Sequence, residues 1–176
     1  MPRSGTSGSF KAKPGGELGI IDGEPPVAAT ASVEDADGRQ LEFGMVYTRA
    51  QLISRFAIKD ATINNGVFLF RARHEIWLFV TEQKPAGRVQ YKDTLIGDEL
   101  HWQGQSRGRT DDPIINHIES GNDILVFYRK AKNEFLRCGF RFQGRFDYVS
   151  HSGKMPASFI LRRRRLSSGG PVQMET

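Results

Sequence analysis

Apolar positions fall in short runs along the middle of the chain, separated by polar stretches rich in turn-forming residues. Leu52, Ile53 and Phe56 recur at helical spacing, which predicts a helix over 49–56. Thr48 suits its N-cap, and Gln51 three residues on completes a capping box. Asn64-Asn65-Gly66 predicts a turn, because Asn and Gly tolerate positive φ. Two nearly continuous apolar runs follow, 66–71 (GVFLFR) and 75–82 (EIWLFVTE), separated by Ala72-Arg73-His74. They predict a hairpin covered on both faces. Residues 84–100 are polar, with Pro85 and Gly87, and read as loop with a short strand at 88–91. A further strand is expected within 100–106. Asp111-Asp112-Pro113 places an acidic N-cap before a proline at the first helical position. A short helix over 113–119 should therefore end at Gly121.

A second hairpin is predicted from 123–130 (DILVFYRK) and 134–143 (EFLRCGFRFQ) around Ala131-Lys132-Asn133. Period-two alternation puts Leu136, Cys138, Phe140 and Phe142 on one face, and Arg137, Gly139, Arg141 and Gln143 on the other. A last strand pair, 148–150 with 157–163, is joined by 151–156. Six or seven short strands and two short helices give an α+β fold, mostly β. A small curved sheet or a β-barrel is the expected architecture.

The ends differ from this middle. Residues 1–41 read as a mostly disordered lead-in: 1–16 is rich in Gly, Ser and Pro, 18–22 has the make-up of a short strand, and 24–37 resembles a linker. Residues 166–176 read as a disordered tail. A single β-rich domain is left at 42–165. No apolar run approaches the length of a spanning helix, and Arg3, Lys11 and Lys13 are followed by no apolar core of a secretory leader. One cysteine, Cys138, excludes an intramolecular disulfide and a multi-cysteine zinc site, and fits a cytoplasmic setting. Its place among aromatic positions predicts a core thiol rather than a nucleophile.

Charge changes the picture more. The net charge is +5. Residues 101–165 carry 13 Lys and Arg against 6 Asp and Glu, while the rest carries 12 against 14. Such a basic half is expected of a polyanion-binding face. The densest polar stretch lies at its start, LHWQGQSRGRTDD over 100–112. Trp102 can stack on a base or serve the core, and the residue alone favours neither. Gln103 and Gln105 can pair with adenine, Ser106 can donate, and Arg107 and Arg109 can clamp phosphate. Arg137 and Arg141 on the outward strand face, with Arg129 and Lys130 beside them and Arg145 beyond, would form a basic stripe along a phosphate backbone. The 162–165 arginine run either extends that stripe or is simply solvated. The turn carrying His151 and Lys154 holds donors suited to a phosphate, and reads at least as well as a plain polar hairpin turn.

Metal and nucleophile chemistry find less support. His74, His101, His117 and His151 show no ligand spacing. There is no nucleophile elbow and no phosphate loop of the P-loop type. Asn116-His117 occurs in nuclease motifs of the HNH kind, but the second His and the metal partners are missing. No cofactor is expected.

Several short motifs also recur in a known order. They are Tyr47-Thr48-Arg49, WLFVT at 77–81, Tyr91-Lys92-Asp93, HWQGQS at 101–106, Ile115-Asn116-His117, the strand at 124–129, and Tyr148-Val149-Ser150-His151 with Gly153-Lys154-Met155-Pro156. Over about residues 46–162 the chain resembles the uncharacterised domain found at the C-terminus of bacterial superfamily II helicases and restriction-like proteins. Gly104 departs from that family's usual Ser, and Tyr128 from its usual Val. The helicase motor is absent, so no ATPase activity is implied. The resemblance implies a DNA context, duplex and with modified bases included, with a helicase or nuclease as partner and no membrane. By analogy with small barrels of the PUA and SRA type that inspect modified bases, Trp102, Tyr91, Asp93 and Gln103 would line a base pocket. The expected function is thus a non-catalytic DNA-binding module, a reader of modified bases in a restriction or defence setting. Two other readings stay open: a metal-dependent nuclease using His101, His117 and nearby acids such as Asp98, and a protein-interaction domain docking through a sheet edge.

Overall fold

The capping box forms as its residues require. The Thr48 hydroxyl accepts from the Gln51 amide, the Gln51 side chain accepts from the Thr48 amide at 2.8 Å, and α1 (Arg49–Phe56) begins there. A computed structural model describes residues 32–33, 40–83 and 93–165 of the chain. The expected strands at 18–22 and 88–91 and the expected tail at 166–176 lie outside the described residues. Within the stretch read as linker, β1 (Ser32–Val33) pairs with β2 (Leu41–Glu42). Leu41 is buried in the core, just ahead of the expected domain start.

The first hairpin is the one predicted. β3 (Val46–Tyr47) precedes α1, and β4 (Val67–Phe70) runs antiparallel to β5 (Glu75–Gln83), with Phe68 opposite Trp77. β5 buries six residues in succession, Glu75 to Val80, because a layer packs on each of its faces. On one face lie Leu52 and Phe56 of α1, with Phe68, Trp77, Phe79 and Phe127. On the other lie Ile76, Leu78 and Val80 with residues from the far end of the sheet.

That far end was hidden from local pattern. The stretch 84–100, expected as loop, contains β6 (Thr94–Ile96) and leads through Gly97 at φ +58 into β7 (Glu99–Gln103). α2 (Asp111–Ile115) follows. It starts two residues before the expected position and ends four before it. Pro113 sits in the first turn, where its missing N–H is harmless. Just past the helix, His117 is fully buried. Gly121 turns the chain at φ +65, as a turn residue beyond the helix.

β8 (Asp123–Ala131) lies parallel to β5, with Trp77 beside Leu125 and Thr81 beside Arg129. The 84–122 crossover is long enough to carry the chain back for a parallel pair. β9 (Phe140–Ser152) and β10 (Ser158–Arg163) complete an eight-stranded mixed sheet in the order β4-β5-β8-β9-β10-β7-β6, with β3 on β9. Among the described residues its end strands, β4 and β6, do not pair, so the sheet is not closed into a barrel. Curvature still brings Val67 of β4 into one core cluster with Leu100 and Trp102 of β7.

The alternation expected over 134–143 holds only from Phe140. Residues Leu136–Cys138 form a tight turn in which Arg137 and Cys138 have φ of 53° and 56°. Leu136 is 86% exposed, and Cys138 is exposed rather than a core thiol. Pairing with β8 stops at Tyr128 opposite Arg141, and on the other edge of β9 the strand β3 pairs with Phe140 and Arg141. Gly139 makes this possible, since a Cβ there would sit 2.7 Å from Val46 Cγ1.

Candidate functional site

The segment after β7 is tied down at both ends. The buried Asp93 carboxylate accepts from the Gln103 amide at 2.9 Å, and the Gly104 amide donates to Ala157 O at 2.8 Å. The backbone passes so close to β10 that a Cβ on Gly104 would lie 2.9 Å from Phe159 Cε2. Two turns follow, Gly108 N to Gln105 O at 2.9 Å and Asp111 N to Gly108 O at 3.2 Å. They leave Ser106, Arg107 and Arg109 exposed.

This segment walls a cleft of about 490 Å³. Asp93, Trp102, Gln103, Gln105, Ser106, Arg107 and Arg109 all line it, as seven residues expected to act together. The opposite wall comes from Asn65, Gly66, Phe79 and Thr81. Sequence reading missed these four. Asn65 and Gly66 were visible only as a turn, and Thr81 only as the polar end of an apolar run. Arg107 and Arg109 have no ion pair with any described residue.

Trp102 is only 7% exposed, and its ring packs on Phe159 with centroids 5.5 Å apart. It is a core residue whose edge borders this cleft and a second one of about 500 Å³. The second cleft takes in His101, Gln103 and His151. His151 Nδ1 lies 2.7 Å from the Tyr148 hydroxyl, and its ring packs 5.7 Å from Phe159. Lys154 is exposed on the following turn and lines neither cleft. Tyr91 lies outside the described residues.

The expected stripe of arginines on one strand face does not form. Arg129 is buried on the α1 side, donating to Thr81 Oγ1 at 2.9 Å and to the carbonyls of Cys138 (2.6 Å) and Lys132 (3.3 Å). Arg137 sits in the left-handed turn rather than on a strand. Arg141 pairs in register with Tyr128, so it faces the other way from Arg129, and it donates to Gly44 O at 2.7 Å. Arg129 and Arg137 instead line a third cleft, beside the start of α1. Arg145 Nε lies 3.2 Å from Asp123 Oδ2 as an ion pair, without hydrogen-bond geometry.

The 162–165 run neither extends a basic surface nor hangs free. Arg162 meets Glu99 at 3.3 Å, Arg163 meets Asp98 at 2.9 Å, Arg164 meets Asp123 at 2.9 Å and Asp147 at 2.5 Å, and Arg165 meets Asp98 at 2.8 Å. The hydrogen bond from Arg165 holds the Asp98 carboxyl below its ordinary range, with Arg163 adding to it. Asp147, with Asp123, holds the Arg164 guanidinium above its ordinary range against the opposing cost of burial.

The histidines do not assemble a metal site. His117 Nδ1 donates to Asn122 O at 3.0 Å and its Nε2 accepts from the Tyr148 amide at 3.0 Å, so both nitrogens are engaged. His101 Nε2 contacts Glu99 Oε1 at 2.8 Å. Among the described residues no three His, Cys, Asp or Glu gather around a point that could hold a metal ion. Comparison of the chain with protein-family models and with curated proteins finds no match.

Proposed function

We propose that the chain is a non-catalytic DNA-binding module that takes nucleic acid into the cleft between Thr81 and the 102–109 segment. One observation carries the reading. The amide and hydroxyl groups of Gln103, Gln105 and Ser106 line the same cleft as Arg107 and Arg109, two exposed arginines with no carboxylate partner among the described residues. Polar edges that can read a base thus stand beside cations that can hold its phosphates. A cleft of about 490 Å³ is in the range of small-molecule sites, and a base turned out of its stack would enter it. Buried Trp102 supports the wall, so the glutamines rather than the indole face the base. The resemblance to a domain that accompanies helicases and restriction-like proteins adds to this reading. On it, the module reads modified bases beside a helicase or nuclease partner.

A mobility-shift titration tests the proposal with duplex, single-stranded and base-modified DNA at two salt concentrations. Binding should weaken steeply with salt, because each neutralised phosphate releases counterions. Joint replacement of Arg107 and Arg109 by Ala should lower the slope of log K against log salt by about 2. Absence of binding to all three DNAs at low salt would overturn it.

A further inference from the structure

We propose that the third cleft, beside the start of α1, is a seat for a phosphate group, held between Arg49 and Arg129 with Lys132 and Arg137 at its rim. The cleft measures about 490 Å³, and no acidic residue lines it. The two guanidiniums share one aromatic support. Arg129 lies 3.9 Å from the centroid of Phe140, and Arg49 lies 5.2 Å from the same ring and 4.6 Å from Phe79. Rings under the cations hold them in place without neutralising them.

Among the described residues no carboxylate bonds either guanidinium. The first turn of α1 contains no acid, so the positive end of the helix adds to the same cleft. Arg49 bonds only a neutral oxygen, Asn65 O at 3.0 Å, and its Nε is buried without a hydrogen-bond partner among the described residues. Arg129 likewise bonds a hydroxyl and two carbonyls. Burial, and then the charge of Arg129, lower the Arg49 guanidinium below its ordinary range. Burial lowers Arg129 too, with Cys138 and Glu134 opposing. Glu134 itself accepts from the Lys130 amide and does not line the cleft. Two like charges withdrawn from water with no carboxylate bonded to either are costly. A tetrahedral oxyanion removes that cost, because guanidiniums donate paired N–H groups in the geometry a phosphate accepts.

The seat shares no lining residue with the DNA cleft, although Arg49 and Arg129 back onto its wall through Asn65, Phe79 and Thr81. Thermal melting of the full chain tests it, in inorganic phosphate against chloride at matched ionic strength. Phosphate should raise the melting temperature of the wild type and fail to raise that of Arg49→Gln. Lys132→Ala, an exposed change that keeps the fold, should show a reduced shift. The Arg107→Ala, Arg109→Ala double variant should keep the full shift, which separates this seat from the cleft proposed for DNA. No shift in the wild type, or an equal shift in the wild type, Arg49→Gln and Lys132→Ala, would sink the proposal. An oligonucleotide compared with and without a 5′-phosphate then identifies the source. If only the phosphorylated strand displaces inorganic phosphate, the seat holds a strand end. If neither does, it holds a free phosphate anion. Both results require an occupied seat.

Discussion

Arginines at the β10 end of the chain and arginines around α1 meet opposite surroundings. Arg162, Arg163, Arg164 and Arg165 each find a carboxylate, from Asp98, Glu99, Asp123 or Asp147. Arg49 and Arg129 find aromatic rings, carbonyls and each other. The first set cancels charge and ties β10 to the strands and turns around it. The second leaves charge uncancelled beside an open cleft. Counting basic residues cannot tell these apart: the longest arginine run in the sequence is the best neutralised, and a single arginine in α1 is among the least. What decides is which oxygen the folded chain brings within reach.

The largest expected effect tests the neutralised side. Arg163 donates to Gln143 O at 2.9 Å, to Gln143 Oε1 at 2.8 Å and to Asp98 at 2.9 Å, with its side chain 19% exposed. Arg163→Ala leaves these acceptors without their donor and removes a guanidinium packed 4.9 Å from Phe43. It should cost about 2–4 kcal/mol in urea unfolding. Arg107→Ala in the open cleft should change stability by no more than about 0.5 kcal/mol. Equal costs for the two would break the contrast between structural and available arginines.

Local rules carried the sequence reading a long way. The capping box at Thr48, the β4–β5 hairpin and the mostly β class follow from residues near one another in the chain. So does most of the cleft, because Gln103 to Arg109 are contiguous in the chain. Its other wall was not legible. Thr81 reaches it only because the fold brings β4 and β5 up to β7, a meeting of residues far apart in the chain. The same distance rule explains Arg162 to Arg165. Their partner acids lie scattered between 98 and 147, and only the fold shows that they meet. Cys138 misled for the reverse reason. A period-two pattern ran through a segment whose hydrogen bonds had already ended, and two left-handed residues turned the side chains out of the core.

A smaller and more discriminating test uses pH. The hydrogen bond from Arg165, with Arg163, lowers the Asp98 carboxyl. Burial, and then the charge of Asp112, raise the Asp111 carboxyl, with His151 opposing. Asp111 Oδ1 has no hydrogen-bond partner among the described residues. A lowered native carboxyl stabilises above the unfolded pKa of about 3.9, and that contribution disappears as pH falls through the native value. A raised native carboxyl does the opposite: it weakens the fold at neutral pH, and the penalty lifts as pH falls toward about 3.9. Asp98→Asn should therefore lower the melting temperature at neutral pH, and Asp111→Asn should raise it. Both differences should shrink in melts well below pH 4. Shifts of the same sign at neutral pH would show that Asp111 is not strained by its burial.

The smallest effect comes from the neighbour of the largest. Arg162 and Arg163 are consecutive on β10, so their side chains leave opposite faces of the strand. Arg163 is held by three short bonds, whereas Arg162 is 62% exposed and reaches Glu99 at 3.3 Å. The Arg162 hydrogen bond and that of His101 lower the Glu99 carboxyl, so removing one donor leaves the other in place. An exposed pair gains little Coulomb energy in water and gives up side-chain freedom to form. Arg162→Ala should therefore leave the melting temperature unchanged, and added salt should not separate it from the wild type. A clear loss would mean that the ion pairs along β10 act as one coupled network, in which even an exposed member holds its neighbours in place.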